Sequence, residues 1–411
     1  MTLPLDGVTV VAVEQAVAAP LATRNLADLG ARVIKIERID GGDLARGYDH
    51  VVHGTGAHFV WLNRGKESIA VDLKTTRGLD VVRRLVNQAD VFVQNLAPGA
   101  ATRLGLGEEL RETRPALVLA NLSGYGAGGP MEQRKAYDML IQAEAGLISV
   151  TGTPETPVKT GIPTADIAAG MYCTQGVLAA LLRRGRTGEG ATLEVSMFES
   201  TVEWLGHALY TQMYTGNQPP RMGLSHSAIA PYDAYPTKDG EVLIGVQSDS
   251  AWRTLVTEVL EAPELVDEPL FSTNVNRVAH RALCDAAVAG RTRRLTTREL
   301  TERLAAARVP AAQVSHLDQV VEHVQLQARG RWRTIGTEHE DEVAALLPPV
   351  TFSDFEARMG DVPALGEHTR SLLLESGLDA AEAEDLLRNG LAFQPSPRHP
   401  AAAGSAFSPD H

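Results

Sequence analysis

The chain has 411 residues, 44% hydrophobic and 22% charged, a soluble-protein composition in a chain too long for one ordinary core. A net charge of −13 argues against general nucleic-acid binding, which needs a basic footprint. Two cysteines, Cys173 and Cys284, give neither a disulfide framework nor metal-ligand spacing; no signal-peptide regions and no apolar run near the ~20 residues of a membrane span are evident, so no membrane or metal and a cytoplasmic location are expected.

Short β-branched runs alternate with helical patterns through the first third. Residues 8–13 (VTVVAV) read as a buried strand, followed by a helix ending near Gly30. Further strands are expected at residues 31–37, 69–73, 90–95 and 116–121. This alternation predicts an α/β fold with a Rossmann-like parallel sheet covered by helices. Ligands of such sheets bind beyond the carboxyl ends of the strands. Arg38, Asn95 and Ser123 fall at those ends. Residues 14–20 carry no G-x-G-x-x-G, which argues against a nicotinamide dehydrogenase. The run 124–130 (GYGAGGP) lacks the ending of a P-loop and reads as a mobile or tight-turning loop suited to covering a substrate.

A strand at residues 191–196 and a helix to about residue 211 close this domain, and residues 215–220 read as a linker. Beyond it, residues 232–236 and 241–246 flank Thr237-Lys238-Asp239-Gly240, a hairpin signal. Helices rich in Arg and Glu then lead to a strand at residues 311–314, giving a smaller α+β domain. Residues 393–411, rich in Pro, Ala and Ser, predict a disordered tail.

Asp166 stands at the entry to an apolar helix expected over residues 167–184. A carboxylate there faces the positive end of the helix dipole and unpaired backbone N–H groups, which favour its ionised form. Such a carboxylate can act as a nucleophile without a histidine to activate it. Aspartate is also among the commonest helix caps, and the residues alone leave both roles open. Arg38, Arg46, Arg64, Lys66, Lys74, Arg103, Arg134 and Lys135 lie near predicted loops in a charge-balanced first 150 residues. They suit either solvated surface or a local phosphate site.

Taken in order, Leu5-Asp6-Gly7-Val8, GARVIKIER at residues 30–38, Asn63-Arg64-Gly65-Lys66, DVFVQNLAPG at 90–99, Gly124-Tyr125-Gly126, Ala136-Tyr137-Asp138, Asp166 and Leu365-Gly366-Glu367-His368-Thr369 resemble the family III CoA-transferases. The resemblance implies an interlocked homodimer. It also implies a large CoA-binding α/β domain (residues 1–210) completed by a return segment (326–392). Between these lie a linker (211–228) and a small α+β domain (229–325), with the tail at 393–411. It places the catalytic aspartate at Asp166. It assigns CoA contacts to Val17, Ala18, Arg38, Val71, Asp72, Leu73, Lys74, Asn95, Leu96, Ala97, Arg103, Arg134, Lys135, Ala136 and Tyr137.

The activity implied moves CoA between an acyl-CoA thioester and a free carboxylic acid through aspartyl anhydride and aspartyl-CoA thioester intermediates. CoA and acyl-CoA are substrates, and no tightly bound cofactor is implied. A 2-methylacyl-CoA racemase of the same superfamily is the alternative, but Tyr137 stands where racemases carry histidine, and its ordinary pKa near 10 suits a proton shuttle poorly. A further alternative is a protein that binds acyl-CoA without turnover. Residues 223–232 (GLSHSAIAPY) resemble members handling small dicarboxylic acids, such as succinate, malate, citramalate or mesaconate. Gly124, Tyr125, His226 and Tyr232 are the substrate-side candidates, with a backbone-capping role equally open for His226 and a core role for Tyr232. His368 is expected to cap a helix.

Overall fold

Residues 9–13 (TVVAV) are mostly β-branched and buried from Val10 onward, and they form the central strand β1 (Thr9–Val13) of the computed structural model, which describes residues 2–338 and 341–396. Strands β2 (Arg32–Glu37), β3 (Lys66–Val71), β4 (Val91–Gln94), β5 (Val118–Ser123) and β6 (Thr192–Ser196) extend the sheet in parallel pairing. Strands β7 (Tyr232–Pro236), β8 (Glu241–Gly245) and β9 (Ala311–Ala312) form a separate antiparallel sheet. A hairpin of β10 (Trp332–Gly336) and β11 (Glu342–Leu346) follows, and β12 (Ala392–Phe393) pairs antiparallel with β3. The large sheet runs β12-β3-β2-β1-β4-β5-β6, so the order reverses between β1 and β4. That reversal opens a crevice at the strands' carboxyl ends.

Two units divide the chain. The larger takes the chain up to Leu147, Thr160–Gly206 and the chain from Arg329 onward, and the smaller takes Ile148–Lys159 and His207–Ala328. The large unit is thus built from both chain ends. The division differs from the sequence-based boundaries: Ile148–Lys159 belongs to the smaller unit, and much of the expected linker start is helix, Gly206–Thr215. The expected tail begins too early, because Phe393 is paired in the sheet; residues 397–411 lie outside the described residues.

Three helices of the large unit position the site: α1 (Ala18–Asp28), α2 (Asp138–Glu144) and α3 (Thr164–Thr187). Helix α3 is longer and more apolar than the sequence reading allowed, with 24 residues and a mean hydropathy of 1.3 over its most apolar window, long enough to cross a membrane by length and composition alone. Its buried side chains, Ala165, Ala169, Cys173 and Val177, join Ala18, Ala19 and Ala22 of α1 in one core under the sheet. Gly170 lets the two helices approach, since a Cβ there would lie 2.6 Å from the Ala18 carbonyl oxygen.

Candidate active site

At the crevice the chain leaves β1 through Glu14-Gln15-Ala16-Val17 and enters α1 at Ala18. Ala16 has a left-handed backbone (φ 65°), a conformation that costs a non-glycine residue energy and needs outside support. The turn is tied down on its entry side. The Asn95 side chain accepts from Gln15 N–H (3.0 Å) and donates to Gln15 C=O (2.9 Å), while the Ala16 N–H donates to Asp43 (2.9 Å). Asp43 itself pairs with the fully buried Lys35 at 2.8 Å. Beside them Lys66 donates to Glu14 at 2.7 Å, also fully buried. Burial pulls the Lys66 ammonium down to about 7 against the attraction of Glu14.

Helix α3 starts at Thr164, earlier than expected, with Pro163 at the cap position and Asp166 in the first turn. The cap is supplied from outside the helix. Asp138 Oδ1 accepts from Ala165 N–H at 2.8 Å and Asp166 N–H at 3.3 Å, and its Oδ2 accepts from Gln142 Nε2 at 2.6 Å. Gln142 Oε1 then accepts from Thr160 N–H at 3.0 Å, which fixes the approach to α3. The Asp166 side chain is therefore not the cap and is left to face the Ala18 N–H, at the start of α1.

The expectation of a readily ionised Asp166 is corrected here. Burial pushes its carboxyl up to about 7; the neighbouring Asp138 adds to the rise, and the Ala18 N–H offsets only part of it. Desolvation outweighs the helix dipole because the carboxyl is shielded between packed elements. Tyr48, which the sequence reading did not single out, has a phenol raised by burial and by the nearby charges of Asp43, Asp166 and Tyr137.

The other sequence candidates group by element. Val17 and Ala18 are buried at the start of α1. Arg38, exposed beyond β2, donates to the Gly42 carbonyl at 3.0 and 2.9 Å. Val71 is buried at the end of β3, and Asp72 accepts from the Lys74 N–H (2.9 Å) in the turn that also carries Leu73. Beyond β4, the Leu96 N–H donates to Gln94 at 2.8 Å, and Ala97 and Arg103 are exposed. These segments leave β1, β2, β3 and β4 at the same sheet edge, as parallel pairing requires.

Ala136 packs on Gly124, where an added Cβ would lie 2.2 Å from the alanine methyl, so the Gly124-Tyr125 and Ala136-Tyr137 segments are held together. Arg134 and the Tyr125 hydroxyl both donate to Glu144, at 2.8 and 2.6 Å, while Lys135 and Tyr137 are exposed. In the smaller unit His226 stacks on Tyr232 with centroids 5.3 Å apart, and its Nδ1 accepts from the Ala228 N–H at 3.1 Å. His226 thus performs the backbone-capping role. His368 does not cap with its ring: the Nδ1 accepts from the Ser68 N–H of β3 at 3.2 Å, tying the return segment to the sheet.

The strand order thus reverses beside a buried carboxylate at the start of α1, an arrangement that suits covalent group transfer. The family model "CoA-transferase family III" matches residues 5–369, and the chain belongs to that family. It is 32% identical to mouse succinyl-CoA:glutarate CoA-transferase, over 95% of this chain and 91% of the relative. It is 31% identical to succinyl-CoA:mesaconate CoA-transferase of Haloarcula hispanica, over 91% of this chain and 96% of the relative. A solved CAIB/BAIF family protein from Brucella suis superposes with a TM-score of 0.80 at 34% identity, covering 92% of this chain and 100% of that one.

Proposed function

We propose that the protein exchanges CoA between succinyl-CoA or a similar thioester and a small dicarboxylic acid, with Asp166 as covalent nucleophile. The observation that carries this is the Asp166 carboxylate, excluded from capping its own helix by Asp138 and set against the Ala18 N–H. In the ionised form it attacks the thioester carbonyl, forming an aspartyl–acyl anhydride and expelling CoA thiolate. The thiolate attacks the aspartyl carbonyl, releasing the donor acid and leaving an aspartyl-CoA thioester. The acceptor carboxylate attacks that thioester, giving a second anhydride, and the thiolate then takes the new acyl group and frees Asp166. Each tetrahedral oxyanion needs donors, and we assign that task to backbone N–H groups at the start of α1.

The dicarboxylate reading is supported by relatives named for glutarate, mesaconate and D-citramalate, each matched over 90% or more of this chain. A relative named for oxalate matches over 69%. An interlocked homodimer is part of the same reading. Met171, Leu182, Tyr214, Leu317 and Val324 are large apolar side chains exposed in the single chain, side chains that a partner subunit could cover.

The test is mass spectrometry of CoA species after incubation with succinyl-CoA and a panel of free acids, with Asp166→Asn in parallel. A new CoA ester made by the wild type and absent from the variant supports the reading and names the acceptor. Turnover by Asp166→Asn at the wild-type rate refutes it. Deuterium uptake into 2-methylacyl-CoA would point to the racemase instead.

A further inference from the structure

We infer that Asp43, anchored by buried Lys35, is a positioning residue for the reaction: it holds the left-handed turn at Ala16 that brings the Ala18 N–H to the Asp166 carboxylate. The inference rests on the proposed role of Asp166. Asp43 divides its two oxygens between separate tasks. Oδ1 accepts from the Ala16 N–H at 2.9 Å and from the Ala45 N–H at 3.0 Å, and Oδ2 accepts from Lys35 Nζ at 2.8 Å. Lys35 extends from β2 and also reaches the Glu14 carboxylate at 3.3 Å. The turn is thus bolted to the strand beneath it through two buried charged groups.

Such a network is a costly way to stabilise a protein, because taking these charges out of water offsets most of their attraction. Its geometry fits a positional task better. Ala16 has φ 65°, and a residue with a Cβ leaves that region unless its neighbours hold it there. Gln15 is fixed by Asn95 on one side, so relaxation at Ala16 passes forward into Val17 and Ala18. A displacement of about 1 Å at a donor facing developing charge is enough to cost ~10²-fold in rate.

The test is a double-mutant comparison of Asp43→Ala with and without Ala16→Gly. Glycine adopts the left-handed turn without strain, so it removes the need for a clamp. Asp43→Ala is expected to lower kcat at least tenfold, more than it raises the KM for succinyl-CoA, and Ala16→Gly in that background is expected to restore most of kcat. A purely structural role predicts a lower melting temperature and no rescue. Where Asp43→Ala fails to fold, Asp43→Asn is used: it keeps an acceptor for the Ala16 N–H but loses the anchor to Lys35, so a smaller fall in kcat, again relieved by Ala16→Gly, is expected. Wild-type kcat in Asp43→Ala, or a loss that glycine does not relieve, overturns the inference. Asp166→Asn is assayed alongside: if it turns over normally, the nucleophile reading fails. If it is inactive while Asp43→Ala is not, only the positioning role fails.

Discussion

Asp138 caps the helix that carries Asp166, through its 2.8 Å bond to the Ala165 N–H and its 3.3 Å bond to the N–H of Asp166 itself. One carboxylate thereby satisfies the helix start and raises the proton affinity of the other. The two roles separate by substitution. Asp138→Asn keeps an acceptor oxygen for the helix start and removes the charge, so it should lower the Asp166 pKa, at the cost of the bond from Gln142, which then meets an NH2 donor. Asp138→Ala should cost about 1 kcal/mol through loss of the cap. An acid limb of the pH–rate profile at the same position in Asp138→Asn and wild type would contradict this coupling.

The pH dependence of turnover follows from the nucleophile's base form. With the Asp166 carboxyl pushed up to about 7, most of the enzyme is protonated and inactive at pH 6. Accordingly kcat/KM should rise with pH, about tenfold per unit well below 7, and level off above it. A profile flat from pH 5 to 8 would show that the substrate-free enzyme carries an ordinary, already ionised aspartate.

Stability carries the same signature with the opposite benefit. The folded-state pKa of Asp166 lies above the ordinary 3.8, so the folded chain binds the extra proton between those values. The contribution of this group is fully present below about pH 4 and is lost as pH rises through 7. Asp166→Asn does not titrate, so it should gain on the wild type across that window and hold the gain above it. After allowance for partial exposure, the gain is about 1–2 kcal/mol at pH 8. Thermal melts at pH 4 and pH 8 measure it, and equal shifts at both would remove the explanation.

The strands of the large sheet were legible because β-branched runs such as residues 9–13 and 32–37 have few other uses. The hairpin at Thr237–Gly240 was legible from its turn residues. What escaped was non-local. Strand β12 has two residues, and its pairing with β3 spans most of the chain. The start of α3 was misplaced because its cap, Asp138, arrives from another helix. Asp166 could be named from its motif, but its proton affinity is set where α1, α2 and α3 meet. Neither Asp43 nor Tyr48 lies in a motif quoted for the site; both owe their place to the turn between β1 and α1 and to its surroundings.

That meeting depends on a residue with no side chain. At Gly170 a Cβ would sit 2.6 Å from the Ala18 carbonyl oxygen and 3.1 Å from Leu21 Cβ, so Gly170→Ala must push α1 away from α3. Overpacking of this kind costs about 1–3 kcal/mol, although alanine is the better helix former by ~1 kcal/mol. The net loss of stability should therefore be small. The displaced group is the first residue of α1, whose N–H faces Asp166. Activity should consequently fall much further than stability, by at least tenfold in kcat. Gly176→Ala on the same helix meets only Leu193 side-chain atoms, the nearest at 3.3 Å, and tests helix propensity without moving α1. Equal kcat in the two variants would mean that the approach of α1 to α3 does not set the geometry of the nucleophile.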